Sequence, residues 1–182
     1  TSRRQLRLRA TQAVAATGLP AWAHHALAAE EALTARSITL GCSIALTGPL
    51  GQAGIEQLAG MKAAFAEVNA AGGVHGREIR VDAKDDGYVA ARTLKNVTEM
   101  IEAQSMFALI SPLGTANTAS ILPLVESKGI PTVGPVTGAT SLRVPGNKHV
   151  FFLRPTYREE TQRLGKQIVD MGLKRIAVVY LD

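Results

Sequence analysis

The chain has 182 residues, of which 46% are hydrophobic, 19% charged and only 4% aromatic; this is the composition of a globular protein and not of a disordered one. The formal net charge is +5, but residues 1–28 hold four arginines and no acidic residue, so they contribute +4 and leave +1 for the rest. A body with so little net charge and so few aromatic residues argues against nucleic-acid binding, which needs clustered basic side chains and stacking surfaces.

Residues 1–28 have the layout of a bacterial export signal. A basic start is followed by an alanine-rich, weakly apolar stretch over about 10–23 and by small-x-small cleavage sites. The paired Arg3 and Arg4 resemble a twin-arginine signal, and the apolar stretch is too short to span a bilayer as a helix. We therefore expect an exported protein; the alternative is a basic amphipathic helix at the start of a cytoplasmic protein.

After this leader, strand and helix patterns alternate along the chain. Apolar runs predict strands at 38–46, 78–84, 106–110, 129–133, 150–153 and 175–180. Helical spacing predicts four intervening helices, the last over 156–171, with buried faces formed by Leu58, Met61, Phe65 and Val68; by Ala90, Leu94, Val97 and Ile101; by Ile121, Leu122 and Val125; and by Leu164, Ile168 and Met171. This alternation predicts an α/β fold in which helices cover both faces of a mostly parallel sheet.

Loops that leave strand carboxyl ends are where such sheets bind ligands. The loops at 47–54, 111–117 and 134–138 are expected to share that edge. Thr115 lies where a helix begins, so its hydroxyl and the nearby N–H groups either bind an anion or only cap the helix. The next loop offers the N–H groups of Val136 and Gly138 and the hydroxyl of Thr137.

Other polar and reactive groups have simpler interpretations. Asp85 and Asp86 precede the second predicted helix, where we expect them to be caps, although paired carboxylates also suit a metal or acid–base chemistry. Cys42, the single cysteine, lies inside the first strand, where a buried, inert thiol is expected.

The glycine-rich loop at 47–54 follows a strand and precedes a helix, as phosphate-binding loops do. It matches neither the dinucleotide fingerprint nor the P-loop pattern. A nucleotide-dependent Rossmann-like enzyme is therefore the weaker alternative, and glycines that permit close packing are the simpler interpretation.

Several motifs together resemble the type I periplasmic binding proteins of branched-chain amino acid ABC transporters, the Leu/Ile/Val-binding group. They are TGPLG at 47–51, NAAGGVHG at 69–76, DD at 85–86, SPLGT at 111–115, and GIP at 129–131 followed by GPVTGA at 134–139. The resemblance covers about residues 38–182. It implies two α/β lobes that close on a ligand, with residues 29–154 forming the first lobe and 155–182 the beginning of a truncated second lobe.

The resemblance also implies a function and a site. It implies an exported protein that captures an amino acid or another small carboxylate-bearing solute and delivers it to a membrane permease, without catalysis or a cofactor. The ligand carboxylate would be held at Thr115, Val136 and Gly138. The full candidate set is Gln52, Leu113, Gly114, Thr115, Val136, Thr137, Gly138 and Tyr157. Some relatives have an aromatic residue where Ala53 stands, so aromatic acids and amides stay open as solutes, and a ligand-sensing receptor domain of the same fold is the alternative role.

Overall fold

The computed structural model describes residues 32–179, so the export signal predicted at 1–28 lies outside the described residues. Strands and helices alternate within that range. They are β1 (Ser37–Ile44), α1 (Gly51–Ala70), β2 (Glu78–Asp85), α2 (Ala90–Glu102), β3 (Ala108–Ile110), α3 (Thr115–Lys128), β4 (Thr132–Val133), a 3-10 turn (Thr140–Leu142), β5 (Val150–Phe151) and α4 (Tyr157–Asp170).

The strands form one parallel sheet in the order β2-β1-β3-β4-β5. The central strand β1 pairs along its whole length with β2, from Ser37 opposite Glu78 to Ile44 opposite Asp85. Parallel neighbours need a crossover between them, and α1, α2 and α3 supply crossovers. The predicted α/β class and parallel sheet are therefore confirmed.

Alternate side chains of β1 show that helices cover both faces of the sheet. Ser43 Oγ accepts a hydrogen bond from the side-chain amide of Asn96 on α2, at 3.2 Å. Cys42 and Ile44 point to the opposite face, as neighbours in a strand must, and belong to a buried cluster that packs with Met61 of α1. The predicted two-sided covering is confirmed.

Helix α1 approaches the sheet most closely through its first turn. Its buried residues are Gly51 and Gly54, and a Cβ on Gly54 would lie 1.7 Å from the carbonyl oxygen of Ala45. Three of the four positions predicted to face the core are partly buried, whereas Val68 is exposed.

The larger core lies between the sheet and helices α2 and α3. Its buried members are Val97, Met100, Met106, Leu109, Ile121, Val125 and Val150. The face predicted for α2 is wrong at Leu94, which is exposed, because the helix buries Thr93 instead. Burial of that hydroxyl is possible because it is hydrogen-bonded to Asp86.

Helix α4 begins as predicted but does not bury its predicted face. Thr156 and Glu159 form a capping box, which explains the start of the helix. No residue of α4 is buried, and Leu164 is 61% exposed, because no other described element covers the apolar side of this helix.

The strand predicted at 175–180 is also wrong. The structure describes this segment as far as Val179 and shows no strand there. Residues 173–179 have no regular secondary structure, and Val179 is 96% exposed. A strand exists only when a neighbour accepts and donates its backbone hydrogen bonds, and among the described residues no strand lies beside this segment.

Candidate functional site

The loops after β3 and β4 are joined where the two strands end. Beyond the paired strands, Leu113 and Val136 form one further parallel bridge. The N–H of Gly114 donates to Val136 O at 3.2 Å, and the N–H of Val136 donates to Pro112 O at 2.9 Å. These bonds hold the start of α3 against the loop at 134–138, at the carboxyl edge of the sheet.

Thr115 and Thr137 meet at this junction. Their hydroxyl oxygens lie 2.7 Å apart, and Thr137 Oγ1 also accepts the N–H of Ala139 at 3.1 Å. Thr137 is fully buried and Thr115 partly so. Thr115 is the first residue of α3 and makes no cap, because the N-cap position is held by Gly114. Of the two interpretations drawn from the sequence, capping alone does not explain this residue.

Four backbone N–H groups within two residues of Thr115 or Thr137 are free in the described part of the chain. Those of Thr115, Ala116, Asn117 and Gly138 have no hydrogen-bond partner among residues 32–179. The first three belong to the open first turn of α3, whose helix dipole favours a negative charge. The sequence predicted that the N–H of Val136 would also be free to bind a ligand. That prediction is wrong, because this N–H already donates to Pro112 O. We call the two threonine hydroxyls and the four free N–H groups the threonine cradle.

Tyr157 adjoins the cradle at Gly138. Its N–H donates to Gly138 O at 2.8 Å, and the guanidinium of Arg154 lies 5.4 Å from its ring centroid. The nearby hydroxyl of Thr137 first, and then that of Thr115 and the Gly138 backbone, lower the pKa of Tyr157 below its ordinary value by stabilising the phenolate. Tyr157 thus lies beside Gly138, another member of the candidate set predicted from the sequence.

The structure does not bring Gln52 to the cradle. Gln52 is exposed on α1, and its amide donates to Glu56 Oε1 one turn along the same helix, at 2.8 Å. Gln57, which the sequence did not single out, reaches the relevant loop instead and donates to Ser111 O at 2.8 Å. The Leu113 side chain is buried in the core with Cys42, so this residue offers the site only its backbone.

Asp85 and Asp86 are not caps of α2, contrary to the sequence prediction. The N-cap of α2 is Val89, with no side-chain bond. Asp85 instead accepts hydrogen bonds from the N–H groups of Leu46, Thr47 and Gly87 and from the Thr47 hydroxyl. It therefore ties the loop after β1 to the loop after β2.

Asp86 is fully buried and belongs to a polar cluster. It accepts hydrogen bonds from the hydroxyls of Ser43 at 3.0 Å and Thr93 at 2.9 Å, and from the N–H of Tyr88 at 2.9 Å. Asn117, in the first turn of α3, donates its amide to Thr93 Oγ1 at 2.7 Å. The carboxylate thus helps fix the helix end that carries the free N–H groups.

Tyr88 is a site neighbour that the sequence analysis missed. Its ring lies against Gly114 at the start of α3, and its backbone has a φ of 64°, which is unusual for a bulky residue. The signal available in the sequence was its position three residues after the carboxyl end of β2, at the edge where ligands bind.

The glycines of the loop at 47–54 are accounted for by packing. Gly51 and Gly54 both approach carbonyl oxygens, those of Leu46 and Ala45. No lysine follows the loop to meet a phosphate. This supports the packing interpretation over the nucleotide one.

The described range 32–179 holds no helix long and apolar enough to cross a bilayer. It also holds no group of three or more histidine, cysteine or acidic side chains arranged to bind a metal ion.

Comparisons with known proteins agree with the fold. A family model described as "Periplasmic binding protein" matches residues 37–182. "Leu/Ile/Val-binding protein homolog 7" of Brucella suis is 26% identical over 172 residues, which cover 86% of this chain and 41% of that protein. The chain therefore spans about two fifths of the length of this curated relative.

Solved structures match in the same way. A possible leucine/isoleucine/valine-binding protein from Rhodopirellula baltica is 31% identical, with a TM-score of 0.69 over 76% of this chain and 37% of that one. A branched-chain amino acid ABC transporter protein from Thermus thermophilus with bound valine is 25% identical, with a TM-score of 0.65 over 75% of this chain and 35% of that one. The chain belongs to the periplasmic binding protein family, within the type I group that includes the Leu/Ile/Val-binding proteins.

Proposed function

We propose that this chain is part of an extracytoplasmic solute-binding protein of an ABC transporter. It captures an amino acid or another small carboxylate-bearing solute and passes it to a membrane permease. It performs no catalysis and needs no cofactor. The leader at 1–28 carries it across the membrane to the periplasm, residues 29–154 form the first ligand-binding lobe, and residues 155–182 begin the second.

The observation that carries the proposal is the threonine cradle. Of two hydroxyls 2.7 Å apart, one donates to the other, which leaves one hydroxyl proton and the free N–H groups at the start of α3 and at Gly138 as donors for a ligand. A carboxylate accepts several such bonds at once, and each hydrogen bond to a charged group contributes about 1.5–3 kcal/mol. Membership of a family in which a relative holds valine supports a small carboxylate as the solute.

The remaining candidates have backbone or neighbouring roles in this proposal. Gly114 and Leu113 supply the turn that brings Thr115 beside Thr137, and Val136 pairs with that turn. Tyr157 borders the site at Gly138. Gln52 contributes only if it leaves Glu56 when a ligand is bound.

The test is calorimetric titration of the purified protein with L-valine, L-isoleucine and benzoate. Thr115→Val removes one donor while it keeps the side-chain volume, so we expect affinity for any carboxylate that binds to fall by about tenfold or more. Thr115→Ser keeps the hydroxyl and should retain most of the affinity. Ser127→Ala, at the far end of α3, where Ser127 bonds only Leu124 O, is the matched control.

Two outcomes would contradict the proposal. One is the absence of binding across the panel. The other is an equal affinity for a bound carboxylate in the Thr115→Val and Ser127→Ala variants, because the anion would then be held elsewhere.

A further inference from the structure

Two tyrosine rings flank the threonine cradle. A Cβ built on Gly114 would lie 2.5 Å from Cε2 of Tyr88 and 3.0 Å from its hydroxyl oxygen. A Cβ built on Gly138 would lie 2.6 Å from Cδ1 of Tyr157. Gly114 precedes Thr115 and Gly138 follows Thr137, so one ring touches the backbone on each side of the threonine pair.

The core, and not burial of its own ring, determines where Tyr88 lies. Its left-handed backbone, with φ 64°, is unfavourable for any residue with a Cβ. Asp86, which is fully buried, holds that backbone by accepting the Tyr88 N–H. Tyr88 as a whole residue is nevertheless 39% exposed. A buried carboxylate therefore fixes an aromatic side chain that leaves part of its surface to solvent.

Tyr157 is fixed on the other side by different contacts. Its N–H is bound to Gly138 O at 2.8 Å, and it is the first residue of a helix that begins with the capping box of Thr156 and Glu159. Tyr157 as a whole residue is 45% exposed. Both tyrosines thus combine a fixed backbone with a ring that a bound molecule can still contact.

From this arrangement we infer that Tyr88 and Tyr157 are the specificity-determining walls of the site and that its solute is a carboxylate with a flat aromatic body. The inference rests on the proposed function, because it assumes that the carboxylate is held at Thr115 and Thr137. A flat ring beside a tyrosine gains a stacked or edge-to-face contact in addition to buried area, whereas a puckered or branched aliphatic body gains buried area alone.

Benzoate and cyclohexanecarboxylate provide the test. They share the carboxylate and the number of carbon atoms, and they differ in whether the ring is flat and aromatic. Titration of the purified protein should show benzoate bound about fivefold more tightly or better, the margin expected for an aromatic pair contact. Equal affinity, or a preference for cyclohexanecarboxylate, would overturn the inference.

Variants then locate the source of the preference. Tyr88→Asn removes the ring, and asparagine tolerates the left-handed backbone, so the preference for benzoate should fall by at least about twofold. Tyr157→Leu should reduce it similarly. Tyr88→Phe keeps the ring and should keep the preference. If Tyr88→Asn does not melt cooperatively, the test rests on the other two variants: the preference for benzoate should fall in Tyr157→Leu and stay in Tyr88→Phe. A preference unchanged in every variant that folds contradicts a role for the tyrosines.

The inference and the proposed function fail in distinguishable ways. Thr115→Val should weaken both acids equally, because each has the same carboxylate. If it does so but the protein does not favour benzoate, carboxylate capture stands and the aromatic walls are wrong. If L-valine and both acids fail to bind, the proposed function and this inference are both wrong.

Discussion

The side-chain amide of Asn117, in the first turn of α3, donates to Thr93 Oγ1 of α2 over 2.7 Å. Thr93 donates in turn to the buried carboxylate of Asp86, which also accepts from Ser43. This chain of bonds runs from the ends of β1 and β2 to the helix turn that carries three of the free N–H groups. Placement of the candidate site therefore depends on a buried polar cluster and not on apolar packing alone.

Thr93→Val should lower the free energy of unfolding by about 2–3 kcal/mol, because it removes one of the hydrogen bonds to the buried carboxylate of Asp86 and leaves the buried amide of Asn117 without its Thr93 partner. Urea unfolding measures the change. Thr98→Val is the matched control on the same helix, since Thr98 bonds only Leu94 O at an exposed position; it should stay within about 0.5 kcal/mol of the parent. Equal effects of the two substitutions would show that the buried cluster contributes little.

Two glycines of α1 should respond to alanine with opposite signs. At Gly54 a Cβ would lie 1.7 Å from Ala45 O, so Gly54→Ala must push the helix from the sheet and should destabilise the protein by at least about 2 kcal/mol. At Gly60 no atom lies within 4 Å of a built Cβ, and Gly60→Ala should stabilise the helix by about 0.5–1 kcal/mol. Urea midpoints of the two variants test this; a stable Gly54→Ala protein would mean that α1 lies farther from β1.

Cys42 should be unreactive in the folded protein. Burial first, and the negative charge of Asp86 second, raise the pKa of its thiol to about 12, so the reactive thiolate is scarce near neutral pH. A thiol reagent such as DTNB at about pH 8 should therefore react only as fast as the structure opens, and at the rate of a free thiol in urea. Because the chain has one cysteine, the absorbance reports this site alone. Immediate reaction of the native protein would show that β1 is accessible.

Asp85 should make the protein lose stability in acid. Its hydrogen bond from the Thr47 hydroxyl first, and then those from the Leu46, Gly87 and Thr47 amides, lower its pKa. A carboxyl group whose pKa is lowered by folding stabilises the protein above its unfolded pKa of about 3.9, and that contribution is lost as pH falls below about 4. Asp85→Asn should be less stable than the parent at neutral pH and should show a shallower loss below pH 4. Parallel pH profiles of the two proteins would contradict this role.

Much of the fold follows from local patterns. Apolar strands separated by amphipathic helices predicted the parallel sheet and its covering on both faces, and the loop order predicted that Thr115 and Thr137 lie at one edge. The errors occur where the conformation or hydrogen bonding of a segment depends on which other segment lies beside it. Residues 175–179 have the composition of a strand, but in the described part of the chain no neighbour pairs with them. Val136 has an N–H group that looks free in sequence, and its pairing with Pro112 depends on register.

By itself the sequence determined the family, the element order and the residue types at the site, because periodicity, turn chemistry and motifs are local properties. Only the tertiary structure decided which groups meet. It placed Thr115 Oγ1 at 2.7 Å from Thr137 Oγ1, set Tyr88 against Gly114, and made Asp86 a buried link instead of a helix cap. Each of these contacts joins residues from different strands or loops, and their distance depends on sheet order, register and close packing, which no single segment specifies.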